Sequence, residues 1–307
     1  MSIVVTGGAG FIGANLSRRL REQDHDVVVV DDLSTGDLEN LRDLDVTLVE
    51  GTILDPEILD TAMQDASAVV HLAARPSVPR SITDPVASHL ANATGTVEVL
   101  EAARRAGNLH VVVASSSSVY GANPTLPKRE DLATMPLSPY AASKLATESY
   151  ALAYQHSFGL PALAFRFFNV FGPLQAAGHA YAAVVPAFVS AALDGQPLVV
   201  HGDGKQSRDF TYVDTVTEVI ADAITRGVTS PTPVNLAFGT RTDLLSLIAE
   251  LERILDTKVA IEHIETRAGD VKHSQADSTR LQELFPDVVP TALPDALRAT
   301  VDWFRAG

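Results

Sequence analysis

The sequence predicts an α/β fold: a doubly wound, mostly parallel sheet carrying a smaller C-terminal α/β lobe. Three observations carry this. Through the first two thirds of the 307 residues, short β-branched runs alternate with helical stretches. That is the pattern of parallel strands covered by helices on both faces. A glycine-rich turn joins the first strand to the first helix, and after Gly172 the alternation gives way to shorter strands mixed with helices.

The expected strands of the sheet are residues 3–6, 27–31, 46–50, 68–71, 110–115 and 162–167. Their apolar runs suit strands buried on both faces. A helix over 13–23 follows the glycine turn. Asp55-Pro56-Glu57 supplies a cap, a first-turn proline and a first-turn acid, so it starts another helix, and Asp84-Pro85 has the same opening. Helices over 94–105 and 140–158 are the longest, and a strand over 234–237 is expected to rejoin the sheet. Beyond Gly172, strands over 198–201 and 259–263 mix with helices over 182–193, 215–225, 244–255 and 294–304. The expected division is therefore 1–171, plus the strand near 233–238, and a second lobe of 172–232 and 239–307. That lobe is expected over the carboxyl ends of the strands, where open α/β sheets bind ligands.

Composition narrows the function. The net charge of −15 argues against nucleic acid or an anionic membrane as partner. No run of about 18 uncharged apolar residues is present, so no membrane span is expected. No basic stretch precedes the first strand, so a signal peptide is not expected either, and a cytoplasmic location is the default. With no cysteine there is no disulfide, thiolate metal site or thiol nucleophile. The nine histidines show no metal-ligand spacing, so no metal is expected, and His71, His110 and His201 read as core or surface residues.

The glycine turn reads Thr6-Gly-Gly-Ala-Gly-Phe-Ile-Gly13. Gly7, Gly10 and Gly13 let the backbone turn tightly and approach a pyrophosphate, at a helix start that offers free N–H groups. Alone such a pattern is weak. Here it follows a strand, opens a helix, and precedes Asp31-Asp32 at the expected distance. An acid there bonds ribose hydroxyls and repels a 2′-phosphate, which favours NAD over NADP. The sheet is thus expected to be of the Rossmann type, with the second lobe as the substrate-binding lobe.

Tyr140-Ala-Ala-Ser-Lys144 indicates what is done with the dinucleotide. On a helix, positions i and i+4 share a face, so Lys144 is expected to reach the Tyr140 phenol and the cofactor together. A free tyrosine has a pKa of about 10 and is a poor base. Bringing it near 7 takes roughly 4 kcal/mol of differential stabilisation, expected from a neighbouring ammonium and a cationic nicotinamide. Upstream, Ser115-Ser-Ser-Ser118 ends a strand. A serine run alone is usually a polar loop, but beside a Tyr-x-x-x-Lys pair one of its hydroxyls can bond a substrate oxygen.

Further on, Asn169 follows the sixth strand, either as a turn residue or as a donor to a diphosphate or sugar. Phe167 reads as a wall beside the nicotinamide or as core. Arg208 lies just past Gly202-Asp-Gly204, and Arg267 precedes Gly269-Asp270. Single exposed arginines are normally solvated, but two converging guanidiniums suit a diphosphate.

Together these motifs make the chain resemble the extended short-chain dehydrogenase/reductase family. Within it, the chain is most similar to NAD-dependent UDP-sugar 4-epimerases such as those acting on UDP-glucose and UDP-galactose. The resemblance runs over essentially the whole chain, through Val-His71-Leu-Ala-Ala74, Asn92, Ser118-Val-Tyr-Gly121, Phe-Asn169-Val-Phe-Gly-Pro173 and Arg267-Ala-Gly-Asp270. It implies a catalytic set of Ser116, Tyr140 and Lys144. It also implies an NAD site of Gly7, Gly10, Phe11, Ile12, Gly13, Asp31, Asp32, Ser34, Thr35, Gly36, Thr52, Ile53, Leu72, Ala73, Ala74, Asn92, Tyr140, Lys144 and Phe167. The implied UDP-sugar site is Ser77, Ser116, Ser118, Asn169, Val184, Val199, Arg208, Arg267, Asp270 and Ser274.

Departures from the family pattern are informative. Sugar 4,6-dehydratases carry an Asp-Glu pair where this chain has Ser117-Ser118, and UDP-glucuronate decarboxylases usually carry glutamate at position 118. Elimination and decarboxylation are therefore disfavoured. Thr52-Ile53 replaces an Asp-Ile pair that contacts adenine. Arg75 replaces a glutamine and is a candidate cation for a glucuronate carboxylate, which keeps UDP-glucuronate 4-epimerisation as the alternative. The small Ser274 leaves room for an N-acetyl group. The resemblance also implies a homodimer through the helices over 94–105 and 140–158, with Ala146, Tyr150, Ala153 and Tyr154 facing either the partner or the sheet.

Overall fold

The computed structural model describes residues 1–178, 182–265 and 272–306. In chain order the first part runs β1 (Ser2–Thr6), α1 (Phe11–Glu22), β2 (Asp26–Asp31), β3 (Thr47–Glu50), α2 (Pro56–Met63), β4 (Ala68–His71), α3 (Val78–Thr83) and α4 (Pro85–His89). It continues through α5 (Gly95–Arg105), β5 (His110–Ser116), α6 (Pro139–Phe158), β6 (Ala162–Phe167) and β7 (Val170–Phe171). Then come α7 (Val184–Leu193), β8 (Leu198–His201), β9 (Ser207–Arg208), β10 (Thr211–Tyr212), α8 (Val213–Arg226) and β11 (Val234–Leu236). The chain closes with β12 (Thr242–Asp243), α9 (Leu244–Leu255), β13 (Ile261–Ile264), α10 (Thr279–Leu284) and α11 (Leu293–Ala306).

Among the described residues the central sheet has seven parallel strands in the order β11-β6-β5-β4-β1-β2-β3. Its strands are runs of Val, Ile, Leu and Ala, which is what burial on both faces demands. On one face, Val5 and Val29 pack with Leu16 and Leu20 of α1 and with Val216 and Ile220 of α8. On the other, Val4, Val69 and Val111 pack with Leu59 of α2, Leu100 of α5 and Ala151 of α6. A separate core joins Phe188 of α7, Leu198 and Val200 of β8, Leu247 and Leu251 of α9, and Val301 of α11. Because the sheet is parallel, Thr6, Asp31, His71, Ser116 and Phe167 all reach its carboxyl edge together.

The α/β, doubly wound architecture is as expected, and strand β11 rejoins the sheet beside β6. Helices α3 and α10 were not expected. Each is six residues long, so neither offers a periodicity to read. The packing also draws α8, and Leu281 and Phe285 at α10, onto the sheet, whereas the sequence-based division puts them with the second lobe. The amphipathic pattern of α8 shows that one face is buried but not against what. We propose the two-lobe division with α8 and α10 counted with the sheet.

Candidate active site

Helix α6 is set firmly. Ser138 accepts the Ala141 N–H at 3.1 Å, Pro139 occupies the first turn, and Gly159 closes the helix with φ 67°. This 20-residue helix crosses β5 and β6 and presents Tyr140 and Lys144 to the end of β5.

At Ser116 the chain leaves β5 for a 3-10 turn over Ser117–Tyr120. Ser118 donates both its backbone N–H, at 3.2 Å, and its hydroxyl, at 2.9 Å, to Ser116 Oγ. With both lone pairs engaged, the Ser116 hydroxyl keeps its own hydrogen for the Tyr140 phenol, whose ionised form it favours. Ser118 thus aligns Ser116.

Burial raises the Tyr140 phenol above its ordinary value, and the Ser116 hydrogen bond offsets this only in part. The Lys144 ammonium donates to the Ala114 carbonyl at 2.8 Å, and burial brings its pKa down to about 8. Beside the pull expected of Lys144, the Ser116 hydroxyl also favours the phenolate.

The glycine turn lies against the segment after β4. Gly7 has φ +71°, and a Cβ there would meet Ala73 N at 2.7 Å; a Cβ on Gly13 would meet Gly7 O at 2.2 Å. Gly10 caps α1 with no side-chain bond, which leaves the first-turn N–H groups at Phe11 and Ile12 uncapped. Asp31 takes the Ala9 N–H and the Leu33 N–H, each at 2.9 Å, so one acid ties the turn to the loop beyond β2. Its burial raises its pKa against these two bonds. In that loop, exposed Asp32 accepts the Ser34 N–H and hydroxyl, Thr35 is exposed, and a Cβ on Gly36 would meet Asp31 Oδ1 at 2.8 Å. A turn that excludes side chains, an uncapped helix start and an acid beyond β2 together fit a dinucleotide.

Other expected cofactor residues take structural duties as well. Ile53 is buried with its side chain toward Gly95, so only its backbone is left to meet a ligand; Thr52 accepts the Leu54 N–H. Asn92 lies in a π turn over Leu90–Thr94. It accepts the Arg75 N–H at 2.7 Å and donates to Ser143 Oγ at 2.9 Å, joining the Leu72-Ala73-Ala74 segment to α6. Phe167 is partly buried and lies opposite Ser116 in the register of β5 and β6. Ser77 caps α3 with the unusual φ of 96°.

His71, read as a core residue, is buried and neutral, its pKa pushed down to about 3 by burial. It bonds Thr6 Oγ1 at 2.8 Å and Thr96 Oγ1 at 3.1 Å. It thereby links β1, at the start of the glycine turn, to α5.

A cavity of about 420 Å³ opens between β7, α7 and β8. Four of the expected substrate residues line it: Asn169, Val184, Val199 and Arg208. Asn169 has φ 30° and donates to the Asp209 carbonyl at 3.1 Å. Arg208 Nη1 donates to the Ser207 carbonyl at 3.0 Å. Ser274 sits beside this arginine strand, its N–H on the Ser207 carbonyl at 3.0 Å. Sequence reasoning missed Phe171, Phe210, His201 and Gln206 on the cavity wall, because only the packing of the second lobe brings them together. Arg267 and Asp270 lie outside the described residues.

Comparisons with known proteins agree with this geometry. The model of the NAD dependent epimerase/dehydratase family matches residues 3–237. The chain is 36% identical to a UDP-glucose 4-epimerase of Mycolicibacterium smegmatis, over 99% of each chain. A UDP-N-acetylglucosamine 4-epimerase of Methanobrevibacter ruminantium, solved with UDP-N-acetylmuramic acid, superposes with a TM-score of 0.94 at 35% identity, covering 99% of this chain and 98% of that one. A Thermus thermophilus UDP-glucose 4-epimerase solved with NAD gives a TM-score of 0.91 at 32% identity, covering all of both chains. A glycine turn shaped for a dinucleotide, a Ser-Tyr-Lys constellation and a match over most of the chain lead to one conclusion: the chain belongs to the NAD-dependent epimerase/dehydratase family.

Proposed function

We propose that the protein catalyses epimerisation at C4 of a UDP-hexose, UDP-glucose/UDP-galactose or their N-acetyl forms, through a 4-keto sugar. The observation that carries this is the pair of hydrogen bonds by which Ser118 holds Ser116 at the end of β5, where the Ser116 hydroxyl favours the Tyr140 phenolate. When bound, NAD supplies a reversible hydride acceptor at C4 and a cationic ring that favours the phenolate, so the reaction has no net redox change.

The chain's own residues supply the rest. Tyr140 phenolate takes the proton of the C4 hydroxyl, and Ser116 bonds that oxygen as its charge changes. Arg208 and Asn169 hold the diphosphate while the 4-keto sugar turns its other face, after which Tyr140 returns the proton. Positions 117 and 118 carry hydroxyls, not acids, which supports epimerisation over elimination. Arg75, the candidate cation for a C6 carboxylate, is paired with Asp84 at 3.3 Å, which supports a neutral hexose over a glucuronate. The small Ser274 beside Arg208 favours acceptance of an N-acetyl group.

Tyr140→Phe tests the assignment. Turnover is expected to fall by about a thousandfold or more, while NAD content and the UDP-sugar KM stay near those of the parent. Near-parental turnover in this variant overturns the assignment. We also propose a homodimer through α5 and α6, supported by the exposure of Tyr150 and Phe158 on α6; the buried Tyr154 serves the sheet side. Light scattering that returns the mass of one chain contradicts it.

A further inference from the structure

A buried ion pair lies behind the candidate catalytic residues and is used by none of the chemistry above. Arg166 on β6 and Glu148 on α6 meet as a fork, with Nε–Oε2 at 3.0 Å and Nη2–Oε1 at 2.6 Å. Their side chains are 4% and 3% exposed. Glu148 Oε2 also accepts the Ser115 hydroxyl at 2.7 Å, and the Arg166 guanidinium lies 4.7 Å from the centre of the Tyr120 ring. The Tyr120 hydroxyl in turn donates to Asn235 Oδ1 at 2.6 Å.

Each member neighbours a candidate catalytic residue. Glu148 is one turn beyond Lys144 on the same face of α6. Ser115 precedes Ser116 and pairs with Arg166 in the β5–β6 register. Tyr120 ends the turn that carries Ser118. The pair therefore joins the helix that carries Tyr140 to the strand and turn that carry Ser116 and Ser118. Isolated buried ion pairs stabilise folds weakly against apolar pairs of similar size, and their better-attested use is to fix one arrangement. The clamp reaches Ser115 and Tyr120, while the Lys144 ammonium is held by the Ala114 carbonyl, so the clamp acts on geometry.

We propose that Glu148, Arg166 and Ser115 are positioning residues that set the Ser116–Tyr140 contact for the proton transfer. This rests on the epimerase reading, so the turnover of the parent protein on UDP-sugars is measured first. An inactive parent overturns that reading, whereas an active parent with insensitive variants overturns the clamp.

The test uses the double variant Glu148→Leu with Arg166→Met, which removes the charges as a pair and keeps the volume, and separately Ser115→Ala, which leaves the ion pair intact. For the double variant, kcat is expected to fall by on the order of 100-fold while KM moves less than about twofold and NAD content is unchanged. Ser115→Ala is expected to lower kcat by about tenfold with the same split, and Ser115→Thr, which restores the hydroxyl, to recover most of it. A stable double variant with parental kcat overturns the proposal. If the double variant does not fold, Ser115→Ala decides: parental kcat, or a loss that lies wholly in KM or NAD content, overturns it.

Discussion

Tyr140 and Lys144 were legible from their i, i+4 spacing, but what each touches was not. The partners of Lys144 and Tyr140, the Ala114 carbonyl and Ser116, come from β5, and only the packing of α6 across that strand selects them. The Ser116 bond favours the phenolate, so removing it raises the Tyr140 pKa. In Ser116→Ala the acid limb of the pH–kcat profile is therefore expected to move to higher pH, with kcat at pH 7 down by about tenfold or more. An unmoved limb contradicts this role. Lys144 makes a second prediction. Its folded pKa of about 8 lies below the ordinary 10.5, so below pH 8 both states carry the proton and the folded state bears a penalty of roughly 3 kcal/mol. As pH rises from about 8 towards 10.5 the folded state sheds its proton first, and the penalty disappears. In nucleotide-free protein, Lys144→Met is expected to stabilise the fold at pH 7 by about 2 kcal/mol after loss of the Ala114 hydrogen bond. That gain should vanish near pH 10.5, as denaturant titration at both pH values would show. A variant less stable than the parent at pH 7 contradicts it.

Elements were more legible than contacts. The β-branched runs located β1, β4 and β6 to within a residue, since a strand buried on both faces must be apolar throughout. The caps at Asp55 and Asp84 worked because a short polar side chain answers a free N–H wherever a helix begins. What escaped were the π turn around Asn92, helices α3 and α10 and the two-residue strands β7, β9, β10 and β12, which are too short to carry a period or depend on tertiary partners. The glycine turn yields a prediction at this scale. A methyl group on Gly13 would lie 2.2 Å from the Gly7 carbonyl, and no flexible side chain can give way there. Gly13→Ala is expected to lose bound NAD and several degrees of Tm, read by nucleotide release and thermal denaturation. Gly10→Ala, whose nearest contact is 3.3 Å, should lose far less. Equal losses at both positions would mean that crowding is not the cause.

At the scale of the whole molecule, the carboxyl edge of the sheet carries the glycine turn, Asp31 and Ser116, and Arg208 shares a cavity with Asn169 just past the end of β6. Those residues were readable from motifs. The aromatic wall of Phe171 and Phe210 was not, because two distant segments build it and neither has a motif of its own. The central claim is that this cleft inverts C4 of a UDP-hexose without net oxidation. The most direct test incubates the purified protein, without added reductant, with UDP-galactose, UDP-N-acetylgalactosamine and UDP-glucuronate in turn. Products are separated by chromatography, and the nucleotide released on denaturation is identified. The expected result is interconversion of the 4-epimers of a neutral UDP-hexose, with NAD recovered from the protein. No conversion of any of the three, together with reduction of a keto sugar once NADH is supplied, would contradict it and make the protein a reductase.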